Sequence, residues 1–243
     1  GAALQHGVGH TGGYFSRNPF PDGQDWFSQP QVNHGHWTLE GLVLQYYLTG
    51  DRRALSAAES VARRFNWEVL RTEYEWFSSN SIRVAGWDLI NNMAVYDATL
   101  DPYYLNACNL IVERLLERQT AEGSWPWVLG TPGHCSHTPP CIGQVTYAVA
   151  IFLDGLSMYY NIAPSADVEE ALIKASRYIM NDTWSASRKQ FRYTSCLNTS
   201  YTSGVREGVM AYAAELTGDS EVFRMAYEAV KGSMNTSSKY PAS

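Results

Sequence analysis

One arrangement recurs along the chain and restricts its fold more than any other feature. An apolar, aromatic segment with helical period runs into a tight turn, and a more charged helical segment follows. Residues 36–49 turn at Gly50-Asp51 into 52–65, residues 84–99 turn at Leu100-Asp101 into 102–119, and residues 205–217 turn at Gly218-Asp219 into 220–234. The tetrapeptide Leu48-Thr49-Gly50-Asp51 returns verbatim as Leu216-Thr217-Gly218-Asp219. Repeats of this length are helical hairpins, each too small to bury its apolar face alone, so neighbouring hairpins must stack.

The periodicity predicts helices over 36–49, 51–70, 84–99, 102–119, 143–161, 166–181, 203–217 and 219–235. Pro102 stands at a first helical position, and Ser165 precedes an acidic first turn at Asp167, Glu169 and Glu170. The fold expected is all-α, with hairpins forming part or all of an (α/α) toroid. Apolar segments 39–49, 84–99, 143–160 and 205–217 line the inside, and the charged partners form the outside. Residues 36–243 read as one domain of about four hairpins, either a compact arc or a piece of a larger ring. Residues 1–35 hold seven glycines and three prolines without helical period, and read as an irregular segment packed on the toroid. The connections 71–83, 120–142 and 182–202 are long, and sites form where such connections gather.

Composition excludes some functions. The formal charge of −6 argues against a nucleic-acid surface, and no apolar run is long enough for a membrane span. Tyr (16) and Trp (8) are abundant while charged residues make up only 17%. Most such rings build core, but rings in a cleft also stack on sugars. Trp26, Trp37, Trp76, Trp125 and Trp127 are the candidates for that role. Cys135 and Cys141 flank a short segment that a disulfide could close, and their spacing is not that of a zinc ribbon. With sequons at Asn181, Asn198 and Asn235, they point to a secreted or extracytoplasmic protein. Gln119, Gly123 and Trp125 read as a structural unit: the Gln satisfies backbone groups at a helix end, the Gly permits the turn, and the Trp covers the end of the barrel.

The densest polar cluster lies near the N-terminus: His6, His10, Gln29, Gln31, Asn33, His34, His36, Trp37 and Glu40. Glu40 follows His36 by four residues, so the two share a helix face. Three readings stay open. His10, His34, His36 and Glu40 could hold a metal, although the spacing matches no metal signature and no metal or cofactor is assigned. The cluster could transfer protons and position substrate. It could also simply tie an irregular segment to helix ends.

Hairpins ending in Tyr-Tyr-Leu-Thr-Gly-Asp, the Gly-Gly-Tyr-Phe segment at 12–15, the Gln-Pro-Gln-x-x-His-x-His-Trp-x-x-Glu-Gly run at 29–41 and the later Gly86-Trp87 helix resemble the (α/α)-toroid domains of carbohydrate-active enzymes. The chain is similar to exo-rhamnogalacturonan lyase-like proteins, and Asn33-His34-Gly35 resembles a segment of heparinase-like and oligoalginate lyases. That resemblance implies β-elimination on a uronate-containing polysaccharide. Asn33 would bind the carboxylate, His34 or a Tyr would take the proton, and a Tyr, with Tyr74 preferred, would protonate the leaving oxygen. Catalysis is thus expected from His34, Tyr74 and Glu40, and substrate binding from Asn33, His36, Gln31, Trp37, His10, Trp76 and Asp88. The alternative is a glycoside hydrolase, which needs two carboxylates flanking the bond, from Glu40, Glu73, Glu75, Asp88 and Glu207. A non-catalytic extracellular subunit is the other alternative. The partner expected is a polysaccharide or oligosaccharide, with room for self-association of open flanks or for flanking domains.

Overall fold

The computed structural model describes residues 37–74, 81–129, 134–197, 201–202 and 207–237. The chain divides into two compact units, one ending at Arg114 and one beginning at Leu115.

The first unit holds α1 (Glu40–Thr49), α2 (Arg52–Arg71), α3 (Ser81–Thr99) and most of α4 (Pro102–Leu116). In α2 the buried residues Leu55, Ala58, Ala62, Phe65 and Val69 recur every three or four positions, which is the stripe a half-exposed helix needs. Phe65 stacks flat on Trp37 at 3.8 Å between ring centroids. Leu39, Val43, Ala94, Val95 and Tyr104 close around this pair. By contrast α1 buries little: Leu44, Tyr47 and Leu48 are exposed, so it does not form the fully lined inner helix expected over 39–49.

The second unit begins with the last residues of α4 and contains α5 (Thr146–Ile162), α6 (Ala166–Thr183), α7 (Glu207–Thr217) and α8 (Ser220–Ser237). Helix α5 is apolar nearly all round, and Ala148 through Leu153 are all buried, as expected of a helix enclosed by its neighbours. Ser165 caps α6 by accepting from the Val168 amide at 3.3 Å. Two small antiparallel sheets occupy the connections. β1 (Trp127–Val128) pairs with β2 (Ile142–Gly143), Trp127 opposite Gly143. β3 (Trp184–Ser185), β4 (Gln190–Arg192) and β5 (Tyr201–Thr202) form the other in that order. These strands were not expected. β2 displaces the start of α5 from 143 to Thr146, and α4 stops at Leu116 rather than 119.

The repeated turn has one chemistry. Each threonine hydroxyl donates to the carbonyl four residues back: Thr49 to Gln45 at 2.6 Å, Thr99 to Val95 at 2.8 Å and Thr217 to Ala213 at 2.9 Å. Each aspartate amide donates to that hydroxyl, and each aspartate carboxylate accepts from the amide two residues on, at 2.9–3.0 Å. The aspartate thereby caps the second helix of its hairpin. Between them sits a left-handed residue, Gly50 (φ 70°), Leu100 (φ 56°) or Gly218 (φ 63°). Glycine takes that conformation without strain and leucine does not.

Candidate functional site

In the first unit two side chains expected to meet substrate, Asp88 and Trp37, are spent on structure. Asp88, Asn91 and Asn92 on α3 are all fully buried. Asp88 accepts from the Trp37 indole at 3.1 Å. Asn91 accepts from the Leu39 amide at 2.5 Å and donates to the Trp37 carbonyl at 3.1 Å and the Trp87 carbonyl at 2.7 Å. The N-cap of α1 has no side-chain cap of its own, so α3 supplies one from across the unit. Asn92 accepts from Asn66 at 2.6 Å. Trp37 is 2% exposed and pressed on Phe65, and offers no face to a sugar.

Tyr74 is also buried, just beyond α2 in left-handed backbone (φ 55°), its amide donating to the Val69 carbonyl at 3.1 Å. Glu40 is exposed in the first turn of α1, where its charge complements the helix dipole. Glu73 is exposed and pairs with Arg114 at 3.8 Å. His6, His10, Trp26, Gln29, Gln31, Asn33, His34, His36, Glu75, Trp76 and the Glu207 side chain lie outside the described residues.

In the second unit two connections meet at the start of α5. Gln119 donates to the Gly123 and Ala171 carbonyls at 3.3 and 3.0 Å, and the buried Trp125 donates its indole N–H to the Leu115 carbonyl at 2.8 Å. This is the structural unit the sequence suggested. The segment 190–196 then binds the start of α5 along its length. The Thr146 amide donates to the Tyr193 carbonyl (3.0 Å) and its hydroxyl donates to the Arg192 carbonyl (2.7 Å); Ser195 donates its amide to the Gln144 carbonyl at 3.0 Å. Half-buried Trp127, His134, Tyr193 and Tyr147 follow one another at centroid separations of 5.5–5.7 Å. His134 Nε2 lies 3.3 Å from the Tyr193 hydroxyl. Of these four, only Trp127 was singled out as a sugar-stacking ring; His134 and Tyr193 carry no sequence signal beyond their residue type.

Beside this aromatic row, Cys135, His137, Cys141 and Cys196 converge. Cys135 Sγ and Cys141 Sγ are 2.7 Å apart, too long for the disulfide expected between them, whose bond length is about 2.05 Å. The three sulfurs and His137 Nδ1 all lie within 3.5 Å of one another. Desolvation opposes ionisation of Cys135, but hydrogen bonds from the Cys141 thiol and from the Cys141 and His137 amides outweigh it and hold that thiol at about 6. The Cys141 thiol's hydrogen bonds with Cys135 and Cys196 push it up to about 12. Cys108, the fourth cysteine, is buried in α4 of the first unit, and burial raises its thiol beyond the ordinary range. Asp182 is likewise raised, chiefly by burial, against the opposing pull of Arg192.

No protein-family model matches the sequence, and no curated protein matches it. Solved structures do. Two are inactive variants of the α-1,6-mannanase GH76A of Salegentibacter sp. HEL1_6 in which two consecutive aspartates are replaced. One, in complex with α-1,6-mannotetrose, matches with a TM-score of 0.66 at 14% identity over 95% of this chain and 66% of its own. The other, in complex with α-1,6-mannotriose, matches with a TM-score of 0.66 at 12% identity over 99% and 68%. This chain therefore spans about two thirds of their length. The likeness shows an all-α hairpin fold of the (α/α)-toroid kind. Both neighbours are glycoside hydrolases rather than the lyases to which the sequence motifs pointed.

Proposed function

We propose that the protein is a glycoside hydrolase that cleaves a polysaccharide outside the cell, with an α-linked mannan as the first substrate to test. The observation that carries this reading is the fold match over nearly the whole chain to a mannanase bound to oligomannose. Lyase chemistry, the main expectation from the motifs, loses support because Tyr74, its preferred acid, is buried in the first unit. No described helix is long and apolar enough to cross a membrane.

The reading carries a constraint. The 243 residues contain no two consecutive aspartates, so the pair replaced in the mannanase variants has no direct counterpart. Hydrolysis needs a carboxylic acid and a carboxylate on either side of the scissile bond. Asp88 is buried and bonded to Trp37, so it does not serve. Exposed Glu40, preceded by His34, His36, Asn33, Gln31 and His10, is the carboxylate we place nearest the chemistry. In the second unit, Trp127, Tyr147 and Tyr193 offer partly exposed rings on which sugar faces stack.

The experiment is to incubate the protein with α-1,6-mannan, with neutral β-linked glucans and with uronate polymers, following new reducing ends and the absorbance of new double bonds separately. Reducing ends from mannan without new absorbance support the proposal. Absorbance rising on uronate polymers alone returns the lyase reading, and silence on every polymer favours a non-catalytic subunit.

A further inference from the structure

We infer that Cys135, His137, Cys141 and Cys196 form a structural zinc site that pins two connections together beside the start of α5. Among the described residues this is the one group of metal-ligating side chains whose donor atoms converge. The four donors make a tetrahedron, every edge of which lies between 2.7 and 3.5 Å. A zinc ion with Zn–S of about 2.3 Å and Zn–N of about 2.0–2.1 Å sets such edges at roughly 3.5–3.8 Å. The ligands reach those distances by opening a few tenths of an ångström on most edges and about 1 Å on the shortest.

Three observations separate this from chance packing of thiols. The donor set is three sulfurs and one imidazole nitrogen, which selects a borderline-soft tetrahedral cation over calcium or magnesium. The backbone already serves the sulfurs: the His137 and Cys141 amides point at Cys135 Sγ at 3.4 and 3.2 Å, the outer contacts that a metal-bound thiolate accepts. The ligands also come from two segments fixed independently of any metal. The Thr194 hydroxyl receives the Cys196 amide at 3.2 Å and donates to the His134 carbonyl at 3.1 Å, and Gln144 donates its amide to Ser195 Oγ at 2.9 Å. A Cβ at Gly143 would lie 2.0 Å from Ser195 Oγ, so the two segments are in close contact just where the ligands meet.

All four positions are filled by protein side chains, which leaves no open position for a reacting water and makes the site structural rather than catalytic. Its consequence is to hold the row Trp127, His134, Tyr193 and Tyr147 in place. The inference stands independently of what the protein cleaves.

The test uses the purified protein, expressed with zinc and kept reduced. Metal analysis should find one zinc per chain, and replacement by cobalt should give the visible bands of tetrahedral thiolate coordination. In competition with a chromophoric chelator, Cys196→Ser and His137→Ala should bind at least about 100-fold more weakly, because even second-sphere changes cost about 10–100-fold. Cys108→Ser should bind like the parent. Should the ligand variants fail to fold, thiol labelling of the parent decides: three cysteines protected until a chelator is added support the site. A metal-free protein whose three thiols react freely, or one lighter by two hydrogens with Cys135 joined to Cys141, overturns it.

Discussion

Replacing Asn91 by alanine tests how the first unit is built. Asn91 is fully buried, and its amide holds the chain before α1 from both sides, accepting from the Leu39 amide and donating to the Trp37 carbonyl. Alanine leaves that buried N–H and C=O without these bonds, at about 1–3 kcal/mol each. The expected loss is therefore about 2–6 kcal/mol, a large part of the stability of an ordinary domain. Urea denaturation followed by tryptophan fluorescence reads it directly, because Trp37 lies in the affected core. The midpoint should fall with little change in slope. Glu40→Ala, on the first turn of the same helix but exposed, should change stability by no more than about 0.5 kcal/mol. An Asn91→Ala midpoint indistinguishable from that of Glu40→Ala would refute the claim that α3 caps α1.

Three further outcomes follow from single residues. Leu100→Gly should stabilise by about 0.5–1 kcal/mol in thermal melts: left-handed backbone costs a leucine about 1–2 kcal/mol, partly offset by the unfolded-state freedom of glycine, and Leu100 is 71% exposed, so little packing is lost. Gly123→Ala should cost more than about 2 kcal/mol by the same assay, because φ is +95° and the new Cβ would lie 2.5 Å from the Lys174 backbone. Asp182 has a raised pKa in the folded state, so its contribution is fully present below the unfolded value and is lost as pH rises through the folded one. Stability curves against pH should show that decline in the parent and not in Asp182→Asn.

The hairpins were legible because they rest on signals that local sequence carries: apolar spacing in α2 and α5, the Ser165 cap and the Thr-x-Asp turn. Even the exception at Leu100 was visible as a leucine where the two sister turns have glycine. The five short strands were not legible, since two or three residues hold no periodicity. Asn91 and Asn92 do carry a signal, because two adjacent asparagines inside an apolar helix imply buried partners. The residue types of Asp88 and Trp37 suggest substrate contacts, whereas the structure spends each on the other. The cysteine cluster was hidden by distance: Cys135, His137 and Cys141 are close in sequence, but Cys196 arrives from the connection beyond α6, and only the pairing of that connection with the start of α5 brings it near.

The central claim is that this fold cleaves a glycosidic bond by adding water. The most direct measurement is digestion of α-1,6-mannan in water labelled with heavy oxygen, with mass spectrometry of the products. Hydrolysis predicts one labelled oxygen per bond cleaved, at the anomeric carbon of the new reducing end and none on the new non-reducing end, and no unsaturated sugar. Unlabelled products carrying a double bond, from mannan or from a uronate polymer, would contradict it.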